Sequence, residues 1–269
     1  MFNTISQCIH KDASNLQSYA HMIERYRKDS IVRNAVLATL HPHLFERIRA
    51  SLSLVELRRH SVIHDADKVV DWVYFIETGG VSRVVSTRAD SPIEVAMVGS
   101  FGFVGLSVVL GTTAASHRAI VHFPGLALRI SADELRAAMK EEPALREHLL
   151  RYVYLLVSQQ AQTVLCSAKH GLDQRLARWL LLAHDWVSGN PVPVTHDLLA
   201  TMLGSWRPNV TEALAILESE GVISRARGAI RILDSSALRA HACECHRLIE
   251  EKFKSTWYGT LQRYEHRFN

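Results

Sequence analysis

Val194 to Asp234 reads VTHDLLATMLGSWRPNVTEALAILESEGVISRARGAIRILD, and the rest of the chain can be placed around it. Thr195 suits the N-cap of a first helix, since its hydroxyl can accept from an orphan N–H of the opening turn. Leu198, Leu199, Met202 and Leu203 then form an apolar stripe. Gly204 falls where the chain must turn sharply. A second helix follows, with Pro208 in its first turn, where a missing N–H costs little. Its positions Val210, Ala213, Leu214 and Leu217 share one face at helical spacing. Gly221 closes it, and Ile223 to Ile232 read as two short strands around Arg227-Gly228.

Two helices with a tight turn, followed by a hairpin, make a winged helix-turn-helix. Pro208, Thr211, Glu212 and Ala215 lie away from the packed stripe, with Arg207 and Asn209 at the helix start. In such motifs the N-terminal residues of the second helix enter the major groove. Thr195, His196, Trp206, Arg207, Asn209, Thr211 and Glu212, with Arg225 and Arg227 of the wing, are therefore the expected DNA-facing residues. An ordinary helical hairpin inside a core has the same periodicity and stays open as an alternative.

The remaining composition narrows the class. A chain of 269 residues with 48% hydrophobic content can bury a sizeable core and suits two domains. Its net charge of +4 is mild. From His170 to Leu233, Arg175, Arg178, Arg207, Arg225, Arg227 and Arg231 are balanced by Asp173, Asp185, Asp197, Glu212, Glu218 and Glu220. Any cationic face for DNA is then local, on Arg207 and on the wing. Cys8, Cys166, Cys243 and Cys245 show no disulfide framework spacing. The longest uncharged apolar run, 101–116, is too short to span a bilayer. With no targeting segment expected, the cytoplasm is the expected location and no membrane partner is expected.

Taken in order, residues 1–35 form a polar extension. Val36, Leu37, Leu40, Leu44 and Ile48 predict one or two covering helices. Between Val55 and Ile130 the period shifts to two. Val69–Ile76, Val81–Val85, Ile93–Val98 and Ala119–His122 read as short strands, with breaks at Gly79-Gly80, Asp90-Ser91, Gly99–Gly102 and Pro124-Gly125. Ser131 and Glu134 suggest a capping box for a helix over 132–140. Pro143 opens a long helix that Gly171 breaks. Leu145, Leu149, Tyr152, Leu156, Gln159 and Thr163 fall near heptad spacing and are the expected dimerisation strip. Leu150, Val153, Val157 and Val164 form a second strip beside it. A helix over 172–187 precedes the linker 188–193. After the wing a helix is expected over 237–253, and the tail 254–269 is expected to be poorly ordered. The expected domains are thus 36–140, 141–169 and 170–236, with a C-terminal segment 237–269.

This order resembles that of the Crp/Fnr family of bacterial transcription regulators, over roughly Ala35 to Phe253. Trp72-Val73-Tyr74-Phe75-Ile76-Glu77-Thr78-Gly79 resembles the family's strand and turn, and Phe103-Val104-Gly105-Leu106-Ser107 its "F-I-G-E-L" turn. Asp173 to Leu180 is similar to the helix ahead of the linker, and Thr195 to Val210 to the helix-turn-helix. The resemblance implies an α+β fold: an N-terminal β-roll of jelly-roll type, a long central dimerisation helix, and a C-terminal winged helix-turn-helix. It also implies a homodimer on a pseudo-palindromic double-stranded DNA site, with RNA polymerase as a further candidate partner.

Several positions depart from the family. Cyclic-nucleotide-binding members hold ribose with a Glu where this chain has Leu106, and phosphate with an Arg-Ser pair that falls here on Ala115-Ser116. Arg118 is an odd number of residues from Ala115, so on a strand it points the other way. A buried phosphate without its guanidinium is unpaired, so tight cyclic AMP binding is not expected and any small-molecule effector is unknown. The recognition helix has Pro208 where the family commonly has Glu, and Glu212 where it has Arg. A different half-site is expected, since Arg pairs with guanine and Glu accepts from cytosine.

Other chemistries find less support. Cys8 alone cannot supply an N-terminal iron–sulfur cluster. In His241-Ala242-Cys243-Glu244-Cys245-His246 one helix face carries His241 and Cys245 only, whereas a structural zinc site takes four ligands. Neither metal nor cofactor is expected, and a buried or incidental cysteine pair is. No nucleophile elbow, P-loop, zinc-protease or dinucleotide motif is present, so no enzyme is expected. Two alternatives stay open: a β-roll sensor or scaffold acting through a protein partner, and a metal- or thiol-responsive regulator using Cys243 and Cys245.

Overall fold

The computed structural model describes residues 32–87, 92–186 and 191–265. The linker positions 188–190, the Asp90-Ser91 turn, Cys8 and residues 1–31 of the extension lie outside them.

Two short helices, α1 (Ala35–Ala38) and α2 (Pro42–Arg49), lead into the β-domain. Asn34 joins the two: its side chain caps α1 through the Leu37 N–H and donates to the carbonyls of Ile76 and Gly102. Six strands form one antiparallel sheet: β1 (Ser53–Leu57), β2 (Val62–His64), β3 (Trp72–Val85), β4 (Ile93–Val98), β5 (Phe103–Val104) and β6 (Arg118–Ser131). The central path is β1-β6-β3-β4, with β2 on β6 and β5 on β3.

The structure corrects two expected breaks. Gly79-Gly80 and Pro124-Gly125 do not end strands; both lie inside 14-residue strands that face each other. The register slips three times between Ile76 and Val81, so both strands bend together. The bend brings backbones close enough that a Cβ on Gly125 would lie 2.1 Å from the Thr78 carbonyl oxygen. Glycine is required there for close approach, not for chain reversal.

Helix α3 (Leu106–Leu110) follows β5. Helix α4 (Ala132–Glu141) has the expected cap, with Ser131 Oγ accepting from the Glu134 N–H at 3.2 Å. The long helix α5 spans Pro143–Lys169, and α6 spans Leu172–Trp186. The winged helix follows with α7 (His196–Leu203), α8 (Arg207–Ser219), β7 (Ile223–Ala226) and β8 (Ala229–Ile232). Thr195 caps α7 through the Leu198 N–H, and Gly204 ends it at φ 55°.

Beyond the wing, the single helix expected over 237–253 is two. Helix α9 (Ser235–His241) ends before Ala242, and α10 starts at Cys245 and runs to Glu265. Ala242 is extended at φ −71°, ψ 147°, so the chain turns there, with Cys243 in the break and Cys245 opening α10. The expected disordered tail is corrected too. Helix α10 continues well past Lys254, and Trp257 is buried, with its ring centroid 5.3 Å from that of His148.

A further correction concerns the long helix. Leu145, Leu149, Tyr152, Leu156 and Gln159 are buried by their own chain, and Thr163 is half-buried. The Tyr152 ring packs tilted against Phe103 of the roll, with centroids 4.8 Å apart. That strip therefore faces inward and is not available to a partner. The opposite side carries the exposed residues, with Tyr154, Val157 and Val164 at 58%, 57% and 70%.

The apolar core runs from the roll into the winged helix. Val84, Met97 and Phe123 of the sheet belong to one cluster with Trp179 and Leu180 of α6, Leu199 and Met202 of α7, and Leu214 of α8. No helix among the described residues is long and apolar enough to cross a membrane.

Candidate nucleic-acid interface

Helix α8 packs its Val210, Ala213, Leu214 and Leu217 into the core and leaves its first turn outside. Trp206, its N-cap, is 73% exposed, and Arg207, Pro208 and Asn209 are exposed beside it. The cap makes no side-chain hydrogen bond, Pro208 has no N–H, and the Asn209 N–H donates to the Trp206 carbonyl at 3.1 Å, so the turn presents mainly the positive end of the helix dipole. Arg207 Nε lies 2.7 Å from Asp197 Oδ1 of α7, with both side chains largely in solvent. A pair that exposed is worth about 0–1 kcal/mol, so a nucleic acid can take the guanidinium at little cost.

The other expected contact residues divide into two groups. Asn209, Glu212 and Arg227 are exposed. Thr195 is exposed, but its hydroxyl is already engaged as the α7 cap. His196 and Thr211 are half-buried and tied together, with His196 Nδ1 3.0 Å from Thr211 Oγ1. The Thr211 hydroxyl donates to the Arg207 carbonyl at 3.1 Å. Burial, with Arg225 and Arg207 nearby, holds the His196 imidazole below its ordinary pKa. Arg225 serves as an internal clamp: its backbone N–H and its Nε each donate to the Glu218 carboxylate at 2.7 Å. That carboxylate is held below its usual range by the same bonds. Arg225 thus fixes the wing to α8, while Arg227 at the wing tip and Arg231 on β8 face solvent.

In the roll, Leu106 starts α3 half-buried, Ala115 is buried and Ser116 is exposed. Arg118 points outward to Asp65 at 3.0 Å, on the other side from Ala115. Sequence reasoning missed Arg83, which is buried on β3 and donates through one Nη to His117 Nδ1 at 2.9 Å. Its other Nη has no hydrogen-bond partner among the described residues. Burial and this guanidinium push both His64 and His117 down to about 4. Arg83 sits in an alternating strand pattern that reads as solvent-facing, which is why it escaped notice.

The contact between roll and winged helix centres on Glu94 of β4. Its carboxylate accepts from Trp179 Nε1 at 3.0 Å and from the Ser82 hydroxyl. Burial pushes its carboxyl up to about 7, against the hydrogen bonds that pull it down.

This combination of β-roll, long helix and winged helix-turn-helix is the fold of solved structures described as CRP/FNR-family transcriptional regulators. Residues 174–241 match the Crp-like helix-turn-helix domain. Among solved structures, FixK2 from Bradyrhizobium japonicum is 15% identical with a TM-score of 0.62, covering 71% of this chain and 98% of that one. TTHB099, a transcriptional regulator of the CRP family from Thermus thermophilus, is 22% identical with a TM-score of 0.59, covering 70% and 96%. TTHA1359, a CRP/FNR family regulator from the same organism, is 22% identical with a TM-score of 0.59, covering 71% and 98%. No curated protein sequence matches the chain. The chain has the Crp/Fnr regulator fold and carries a Crp-like helix-turn-helix domain.

Proposed function

We propose that the protein binds double-stranded DNA sequence-specifically as a homodimer, with one α8 from each copy in successive major grooves. The observation that carries this reading is the open first turn of α8, where Trp206, Arg207 and Asn209 stand clear of the protein's own chain. Arg207 reads a base edge, Asn209 and Glu212 flank it, and Arg227 meets phosphate from the wing.

Pairing of the two copies uses the outward face of α5. Leu150, Tyr154, Val157, Ala161 and Val164 alternate at spacings of four and three, the seam of a two-stranded coiled coil. Three of these are more than half exposed in the single chain. The roll holds no Arg-Ser pair for a cyclic phosphate, so its effector, where there is one, is a small molecule other than cyclic AMP.

The test is binding of the full chain to sites selected from random duplexes, followed by fluorescence anisotropy with Arg207→Ala. The variant should lose about 1–3 kcal/mol and relax preference at one base position. Unchanged affinity and unchanged selected sequence would remove Arg207 from the interface.

A further inference from the structure

Three of the four cysteines in the chain converge on one histidine. Cys166 lies in the last turn of α5 and His170 four residues on, at its C-cap. Cys243 lies in the break between α9 and α10, and Cys245 opens α10. The ligand atoms of all four lie within 4.8 Å of one another. Cys166 Sγ is 3.5 Å from Cys243 Sγ, and Cys245 Sγ is 3.4 Å from His170 Nδ1. The three cysteines are buried and His170 is half-buried.

We infer that Cys166, His170, Cys243 and Cys245 form a mononuclear zinc-type site, Cys3His, that clasps the end of the long helix to the segment beyond the wing. Tetrahedral zinc with bonds of about 2.3 Å to sulfur and about 2.0 Å to nitrogen sets its ligand atoms about 3.5–3.8 Å apart. The Cys166–Cys243 and Cys245–His170 separations lie at or just below that spacing. A disulfide needs sulfurs at about 2.0 Å, far closer than the 3.5 Å between Cys166 and Cys243. An iron–sulfur cluster spreads thiolates of different irons wider, with sulfide between them.

The surroundings suit a bound cation with thiolate ligands. Gln162 Nε2 donates to Cys245 Sγ at 3.1 Å, an outer-sphere hydrogen bond of the kind that orients a ligand. Arg178, buried on α6, acts electrostatically on Cys166 and offsets the single negative charge of a divalent ion with three thiolates. Soft sulfur ligands select zinc over hard cations. On binding, three sulfur–metal bonds replace three S–H bonds and three protons leave to solvent. His170 gives the Nδ1 lone pair and keeps its proton on Nε2. Four protein ligands leave no open coordination position, so the site is structural and not catalytic.

Cys166 and His170 share an i, i+4 spacing that was legible in the sequence, but nothing local pairs them with residues some seventy positions later. The break at Ala242 is what turns both Cys243 and Cys245 toward α5.

The experiment is metal analysis of the full chain purified under reducing, zinc-replete conditions. About one zinc per chain is expected, falling below about a tenth in Cys166→Ser and Cys243→Ser and unchanged in Cys8→Ser. Cobalt loading of the unaltered chain should give thiolate-to-cobalt charge transfer with intense visible bands of tetrahedral cobalt. His170→Cys should keep the stoichiometry and strengthen the charge transfer, a readout that does not depend on the serine variants folding. A chain holding only trace metal, a zinc content untouched by Cys243→Ser, bound iron with sulfide, or a Cys166–Cys243 disulfide in the native protein would each overturn the site. DNA binding enters none of these readouts, so this inference and the proposed function can fail separately.

Discussion

Glu94 has a pH dependence with a definite sign. Its folded-state pKa is raised by burial to about 7 from 4.5, so the folded chain holds that proton more tightly than the unfolded one. Its contribution to stability is fully present below about pH 4.5 and is lost as pH rises through about 7. Glu94→Gln keeps an oxygen to accept from Trp179, turns an amide N–H to the Ser82 hydroxyl oxygen, and cannot ionise. Thermal melts should show the variant no less stable than the parent at pH 5 and more stable at pH 8; equal melts at both would remove the ionisation argument. Arg207 is simpler. Its partner Asp197 is a competitor for the guanidinium, so Asp197→Asn should tighten DNA binding at low salt, with the gain shrinking as salt rises. Weaker binding by this variant in anisotropy titrations would instead make Asp197 a positioning residue for Arg207.

At the level of elements, boundaries written in local chemistry were legible and pairings between distant segments were not. Pro143 and Gly171 bracket α5, Ser131 caps α4, and Thr195, Gly204 and Gly221 frame the recognition motif, all as the sequence indicates. The long strands were misread because Gly79-Gly80 and Pro124-Gly125 are breakers in isolation, and only their apposition across β3 and β6 makes them a bend. Gly125→Ala should therefore cost about 1–3 kcal/mol in denaturant unfolding, as overpacking does. A neutral result would mean the backbones part easily there. The faces of α5 were exchanged for a related reason. Both strips are apolar, and periodicity says that a face is buried without saying by what. Val157→Glu with Val164→Glu should give a monomer in sedimentation with its melting temperature little changed, since both side chains are exposed in the single chain. A dimer that survives this pair would place the contact elsewhere.

Across the whole molecule, one core joins the roll to the winged helix through Phe123, Met97 and Trp179, so the two parts are mechanically continuous. The fold class was legible because each part has its own period and punctuation. The exposure of Arg207, Asn209 and Arg227, on which the proposed interface rests, was legible, while the internal ties of Arg225 to Glu218 and His196 to Thr211 required coordinates. An event in the roll can reach α8 by repacking that core or, in the proposed dimer, by shifting α5 against its copy. The account as a whole rests on two recognition helices presented together. Hydroxyl-radical footprinting of the full chain on a selected operator measures this directly. Two protected patches about 10 base pairs apart, centred on a pseudo-dyad and both lost with Arg207→Ala, are predicted. A single patch, or two that persist without Arg207, would contradict it.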